Sequence, residues 1–296
     1  MTPYFSIVVP CYNRADILAE TVAGILLQQA PDFELLLVDD GSRDDTLAAA
    51  QVLARTDERI RVFTQPNAER GAARNHGLRE ARGRYVNFFD CDDEMYPNHL
   101  QVVRIYVTQH GEVELLHTGY EIIGEDGDVV LTVDDFGQHS TNEALIDNNF
   151  LACNTVFVRR DVALANPFVE DRRLASAEDW ELWLRLASQY PFHSISERTF
   201  CLREHAGRSL NTIAPDTVQV RDELFASLMA ANPAFRKYYS GRVAYFVANR
   251  YTFITLTLAL AKNRRADTLR YLAKALRADP TVLWRRRFLA SIKLLF

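Results

Sequence analysis

Four short runs near the start of the chain are apolar at nearly every position: Phe5–Pro10 (FSIVVP), Phe33–Val38 (FELLLV), Ile60–Thr64 (IRVFT) and Arg84–Phe89 (RYVNFF). Their β-branched and aromatic content predicts strands. Between them the apolar residues recur at helical spacing. Ala15–Gln29 carries Ile17, Leu18, Val22, Ile25 and Leu26, and a second helix, which Ser42 is expected to cap, carries Leu47, Val52 and Leu53. Arg70–Ala81 reads as a third helix, stopped by Gly83. Uniformly apolar strands alternating with helices imply a parallel sheet covered on both faces. Ligands of such sheets bind beyond the carboxyl ends of the strands. The polar clusters fall there: Tyr12-Asn13 after the first strand, Asp39-Asp40 after the second, and Asp90-Cys91-Asp92-Asp93 after the fourth.

The middle of the chain is less regular. Val113–Gly119 and Glu121–Val133 read as strands, the latter a hairpin turning at Gly124–Gly127. Asn154–Arg159 is a further strand, and Ala177–Ser188 is a helix holding Trp180, Leu182, Trp183, Leu184 and Leu186. From about Pro215 the pattern is helical, punctuated by Pro233 and Pro280. Ala261–Pro280 loosely matches one helical-hairpin repeat, and a single copy makes no array.

With 296 residues, 48% hydrophobic and 25% charged, the chain is expected to form one large or two modest globular domains. Disordered, collagen-like and disulfide-scaffold classes are excluded. Cys11, Cys91, Cys153 and Cys201 form no CxxC pair, which gives no support to structural zinc and suits a reducing compartment. The opening MTPYFSIVVP lacks the features of a signal peptide. No charge-free run reaches the roughly 18 residues of a membrane span; Tyr251–Ala261 is 11 residues long. The net charge of −5 hides an asymmetry: the segment from Lys262 onward carries +8, leaving −13 for the rest. Its end, Trp284 to Phe296, mixes Arg285, Arg286, Arg287 and Lys293 with Leu, Phe and Trp. This basic amphipathic segment suits an anionic membrane surface, or a helix packed on the body or on a second subunit.

Five constellations can carry chemistry. In Asp90-Cys91-Asp92-Asp93, three carboxylates in four residues repel one another. They form either a solvated acidic turn or a site for Mg²⁺ or Mn²⁺, whose remaining ligands come from substrate phosphates. The following Met95-Tyr96-Pro97 would start a helix and stiffen the loop. Asp39-Asp40-Gly41-Ser42 can be a capping turn, with Asp40 left to meet a base or ribose. In Asn67–Asn75, Arg70 and Arg74 share a helix face and can clamp phosphate oxygens, or be ordinary surface arginines. Glu178-Asp179 opens an apolar helix, where acids are favoured by the dipole or can act as a general base. His205, in Arg203-Glu204-His205, is the least specific of the five.

Taken in order, FSIVVPCYNR, LLLVDDGSRDDT, GAARNHGL, FFDCDDEMYP and AEDWELWLRL resemble glycosyltransferase family 2 over about residues 4–205. The resemblance implies an α/β GT-A fold: a Rossmann-like, mostly parallel sheet flanked by helices, with a C-terminal helical appendage. The GT-A domain would span 1–210, with a nucleotide-binding half (1–95) and an acceptor-side half (96–210), followed by a helical region (211–296). It implies an inverting transfer of sugar from a nucleotide-diphosphate sugar, by default a UDP-sugar, to an acceptor hydroxyl. The cofactor would be Mn²⁺ or Mg²⁺. Pro10 and Tyr12 would border the base, Asp40 would bind it, and Arg74 would lie near base or phosphates. Asp90, Asp92 and Asp93 would share the DxD role between ribose and metal, with Asp92, Asp93 and His205 on the metal side. Asp179 would be the catalytic base. Cys91 stands where the family has a small Ala or Ser, and the segment around Asn67 is shorter than the family's glycine-rich version.

The implied partners are a nucleotide-sugar donor and a glycan or lipid-linked acceptor in polysaccharide biosynthesis, with no nucleic acid. The expected location is cytoplasmic, at the inner face of the membrane through the basic segment. A nucleotidyltransferase is the rival enzyme, but the chain has no glycine-rich, lysine-containing phosphate loop near its start. A non-catalytic sugar-nucleotide or glycan-binding module on the same fold would have no need of Asp179 beside the acidic triplet.

Overall fold

The expected alternation forms over the first ninety residues: β1 (Phe5–Cys11), α1 (Leu18–Leu26), β2 (Phe33–Asp39), α2 (Thr46–Leu53), β3 (Ile60–Thr64), α3 (Glu69–Glu80) and β4 (Tyr85–Phe88). Every residue of β1, β2 and β4 is buried, as strands sandwiched between helices require. Gly77 is where α3 touches the sheet: a Cβ there would lie 2.3 Å from Val8 Cγ1. The computed structural model describes residues 2–136, 140–204, 213–261 and 264–295. These form two compact units, one holding the chain to Glu170 with 190–204, the other Asp171–Gln189 with the chain from 213 onward. The second grouping differs from a boundary at 210, because the segment Asp171–Gln189 associates with the C-terminal helices.

The first unit continues through β5 (Glu94–Met95), α4 (His99–His110), β6 (Leu115–Ile123), β7 (Val129–Val133), α5 (Thr141–Ala144), β8 (Val156–Arg159), α6 (Arg160–Ala165) and β9 (Phe192–Arg203). The sheet order is β3-β2-β1-β4-β8-β6-β9-β5, with β7 on β6. β3, β2, β1 and β4 run parallel; β8 is antiparallel to both β4 and β6, and β6 and β9 are parallel. This is the α/β, mostly parallel arrangement that the sequence implied. Phe5, Leu35, Leu37, Phe89, Leu100, Phe157 and Phe200 belong to one continuous core.

Three local expectations are corrected. β6 is a single strand through Gly119 and Tyr120, with register shifts where two strands were expected to meet. β9 was not anticipated, because Ser194, Ser196, Glu197 and Arg198 face outward and hide its apolar positions. Ser42 does not cap α2: its Oγ accepts from Asn13 N at 3.0 Å, while Thr46 N donates to Asp44 Oδ1 at 3.1 Å. The hairpin at Gly124–Gly127 forms between β6 and β7, with Gly127 at φ +86°.

The second unit contains α7 (Glu178–Ala187), α8 (Pro215–Ala231), α9 (Pro233–Tyr238), α10 (Val243–Leu260), α11 (Arg265–Ala278) and α12 (Arg286–Leu295). Among the described residues, α10 is the one helix long and apolar enough to cross a membrane by length and composition. It packs instead against α8, α11 and α12 as the unit's central helix. In α12, Phe288, Ser291 and Leu295 are buried, while Leu289 and Leu294 are exposed; Trp284, just before it, is 86% exposed.

Candidate active site

Parallel register brings the carboxyl ends of three strands to one edge. Cys11 pairs with Asp39 and Val8 with Phe88, so Tyr12, Asp40 and Asp90 all leave the sheet on that side. Pro10 is buried in β1, and Tyr12 beyond it is exposed. Asn13, held at φ +51°, ties this corner together: its Oδ1 accepts from Arg43 N at 2.8 Å and its N–H donates to Ser42 Oγ. A non-glycine residue in this region is strained unless its surroundings hold it, and such residues gather at functional sites.

Asp40 is buried and accepts four hydrogen bonds from its own chain. Gln65 Nε2 and Ala68 N reach Oδ1 at 2.8 and 2.9 Å; Asn67 Nδ2 and Glu69 N reach Oδ2, both at 3.0 Å. Glu69 sits at φ +73°, so the carboxylate fixes the strained entry to α3. Asp39 braces the same corner from below, accepting from Ser42 N and Thr64 Oγ1.

The acidic loop after β4 is held carboxylate by carboxylate. Asp90 Oδ1 accepts from Arg74 Nη2 at 2.7 Å. Arg74 is fully buried, with its guanidinium 5.4 Å from the Phe168 ring centroid, and is not on an exposed face of α3. Asp92 Oδ2 pairs with Arg14 Nη2 at 3.4 Å. Asp93 is buried, and its Oδ2 accepts from Asn154 Nδ2 at 2.8 Å. Asn154 also accepts from Asp90 N through Oδ1 at 3.2 Å, so one amide spans both ends of the loop. Thr21 Oγ1 donates to Cys91 O at 2.7 Å. The Cys91 thiol is pushed well up, first by its hydrogen bond with the Cys11 thiol and then by burial. It stays protonated and is therefore a poor nucleophile.

Arg14 and Asn154 were missed in the sequence. Arg14 carried a usable signal, since it directly follows Tyr12-Asn13 in the polar cluster after β1. Asn154 carried none: only the antiparallel pairing of β8 with β4 brings it beneath the loop.

Asp179 lies in the first turn of α7, in the second unit, where its Oδ1 accepts from Trp180 N at 2.6 Å. His205 lies outside the described residues. Among the described residues, no three His, Cys, Asp or Glu side chains are placed to hold a metal ion by themselves. The donor set still fits a hard cation that arrives with its nucleotide. Asp92 and Asp93 offer carboxylate oxygens, and Mg²⁺ or Mn²⁺ is commonly bound by one or two carboxylates plus substrate phosphates.

The family described as "Glycosyl transferase family 2" matches this chain over residues 6–163. The chain belongs to glycosyltransferase family 2. The UDP-Glc:α-D-GlcNAc-diphosphoundecaprenol β-1,3-glucosyltransferase WfgD of Escherichia coli is 31% identical over 205 residues, covering 69% of this chain and 78% of WfgD. An uncharacterized glycosyltransferase of Rickettsia felis is 30% identical over 203 residues, covering 68% of this chain. The chain spans about a third of that relative's length (33%). Among solved structures, residues 1–349 of Staphylococcus aureus TarS, in complex with UDP-GlcNAc, align over 98% of this chain and 88% of that one. The TM-score is 0.74 at 21% identity, which establishes the shared fold.

Proposed function

We propose that this chain transfers a sugar from a UDP-sugar to an acceptor hydroxyl with inversion at the anomeric carbon, in the assembly of a lipid-linked or cell-surface glycan. One observation carries the reading: the ends of three strands that neighbour one another in the sheet, β2, β1 and β4, present Tyr12, Asp40 and the braced Asp90-Cys91-Asp92-Asp93 loop along one edge. WfgD uses a UDP-glucose donor by name and TarS was solved with UDP-GlcNAc, which supports UDP as the nucleotide.

In this reading, Pro10 and the exposed Tyr12 border the base. Asp40 holds the 65–69 segment in shape against it and meets the base through that segment. Asp90, kept in place by Arg74, faces the ribose side, and Arg74 carries positive charge toward the phosphates. Asp92 and Asp93 would hold the divalent cation, Mn²⁺ or Mg²⁺, and His205 would be a further ligand to it. When bound, the cation supplies Lewis-acid stabilisation of the departing diphosphate. Asp179 takes the proton of the acceptor hydroxyl as its oxygen attacks the anomeric carbon and the bond to the diphosphate breaks. A single displacement of this kind inverts the configuration.

The test is Asp179→Asn, assayed for sugar transfer and for UDP binding by calorimetry with and without Mn²⁺. Transfer falls by orders of magnitude while UDP binding persists; Asp93→Ala instead weakens the Mn²⁺-dependent part of binding. Near-normal turnover by Asp179→Asn would refute the assignment. The products separate the rivals: a nucleotidyltransferase releases no UDP from the donor, and a binding module releases nothing.

The proposal extends to the acceptor's surroundings, with the protein cytoplasmic and resting on the inner face of the membrane. Leu283, Trp284, Leu289 and Leu294 are exposed beside Arg285, Arg286 and Lys293, the composition of an interfacial segment. Co-sedimentation with vesicles of anionic phospholipid should be lost in Trp284→Ala/Arg285→Ala/Arg286→Ala. Equal binding by both proteins, or none by either, would remove the membrane from the reading.

A further inference from the structure

We infer that Arg250 is a positioning residue for the proposed base: its guanidinium holds the ring of Trp180, the residue that follows Asp179 and whose backbone N–H donates to the Asp179 carboxylate. The inference rests on the reading of Asp179 as the base. It assigns the C-terminal helices a part in the chemistry rather than that of an appendage.

Arg250 lies in the middle of α10 and is buried. Its guanidinium carbon is 4.3 Å from the Trp180 ring centroid. Phe225 of α8 and Phe246 of α10 meet the same indole edge-on, with centroids 5.3 and 6.3 Å away. Trp180 is thereby fixed on its face and on its edges. Its backbone N–H, in the peptide that directly follows Asp179, sits 2.6 Å from Asp179 Oδ1, so anchoring the Trp180 ring anchors the stretch of backbone that carries that carboxylate. The two residues are adjacent in the first turn of α7, where no side-chain cap steadies the helix start.

The guanidinium is itself oriented. Arg250 Nη1 meets Asp222 Oδ1 at 3.3 Å, and Asp222 Oδ2 accepts from Arg221 Nε at 3.0 Å and Nη2 at 2.8 Å. Two buried guanidiniums thus share one buried carboxylate. Burial pushes the Arg250 pKa down to about 10, which leaves it charged at neutral pH. A hydrophobic side chain of similar volume is often as stable as, or more stable than, a buried ion pair. Packing alone therefore does not account for an arginine in the centre of an apolar helix. A planar cation stacked on an aromatic face does, because it fixes the ring's position and tilt as well as filling space.

The experiment compares Arg250→Met, Arg250→Lys and Leu272→Ala, with Asp179→Asn alone and combined with Arg250→Met. Steady-state transfer, UDP binding and thermal midpoint are measured for each. Leu272 lies in the core between α10, α11 and α12, so its truncation weakens the same unit without touching Trp180. Arg250→Met should lower kcat about tenfold or more, the effect expected of a small misplacement of a reacting group. KM for the donor and UDP affinity should be unchanged. Arg250→Lys, which keeps the charge beside Asp222, should recover part of kcat. Leu272→Ala should lose thermal stability and keep kcat, and Arg250→Met should cost nothing further on top of Asp179→Asn. The inference is overturned if Arg250→Met or Arg250→Lys turns over at the wild-type rate, or if kcat tracks the thermal midpoint across all three variants. Full turnover in Asp179→Asn would instead overturn the base assignment itself, a result the other variants cannot imitate.

Discussion

Replacing Asn154 by Asp exchanges one amide nitrogen for an oxygen and leaves the shape of the side chain unchanged. In the native protein that nitrogen donates to Asp93 Oδ2 at 2.8 Å. In Asn154→Asp two carboxylates face each other across this distance in a buried setting, and both cannot remain ionised. The folded state of the variant then binds a proton that the unfolded chain, titrating near 3.9, has released. Because the folded state binds more protons, stability falls as pH rises above that value, at about 1.4 kcal/mol per pH unit until the shared proton is lost. The lost hydrogen bond to a charged acceptor contributes about 1.5–3 kcal/mol more. With the shared proton held to pH 7.5 the slope amounts to about 5 kcal/mol, and with the lost hydrogen bond the deficit is about 7 kcal/mol, or about 20 °C in the unfolding midpoint of a domain of this size. The assay is thermal unfolding of both proteins at pH 5 and pH 7.5, with UDP affinity measured on the folded variant. The stability gap should narrow at pH 5, and UDP should bind more weakly, since Asn154 also holds the amide of Asp90. A variant as stable as the native protein at pH 7.5, or a gap that does not change with pH, would refute the reasoning.

The buried imidazoles set the acid limit of the fold. His99 and His117 are pushed by burial down to about 3 and about 4, so both fold neutral and are protonated on unfolding. Their contribution is complete above the unfolded value near 6.5 and is lost as pH falls toward 4, adding a slope of about 2.8 kcal/mol per pH unit in that window. Denaturant midpoints measured between pH 7 and pH 4 should show this loss, and it should shrink by about half in a stable His99→Gln variant. Gly77→Ala should destabilise despite its better helix propensity, worth about 1 kcal/mol. The new Cβ would meet Val8 Cγ1 at 2.3 Å, and relieving such overpacking typically costs about 1–3 kcal/mol. A rise in the thermal midpoint would contradict the close packing of α3 on β1.

Hydrophobic patterning carried the sequence reading furthest where strands are buried on both faces. FSIVVP and FELLLV admit no other placement, and the polar residues that follow them fall at the carboxyl edge by topology alone. The acidic loop after β4 and the acidic pair opening α7 were visible because clusters of like charge are conspicuous. What patterning missed has polar residues in positions that only pairing explains. In β9, the outward Ser194, Ser196, Glu197 and Arg198 interrupt the apolar signal, and in β6 a register shift near Gly119 imitates a break.

The sequence by itself determined the class of fold, the edge at which the polar and acidic clusters gather and the family, because these depend on local periodicity and on residues adjacent in the chain. Only the tertiary structure decided which partners those residues have. Arg74 is buried against Asp90 and Phe168, Arg14 reaches Asp92, and Asn154 spans the acidic loop from sixty residues away. Asp40 spends its carboxylate on four donors from the segment after β3. Hydrogen bonds and ion pairs between distant segments leave no period in the sequence. They exist only once the sheet has fixed which strand lies beside which, so the inventory of groups was legible in the chain and their pairing was not.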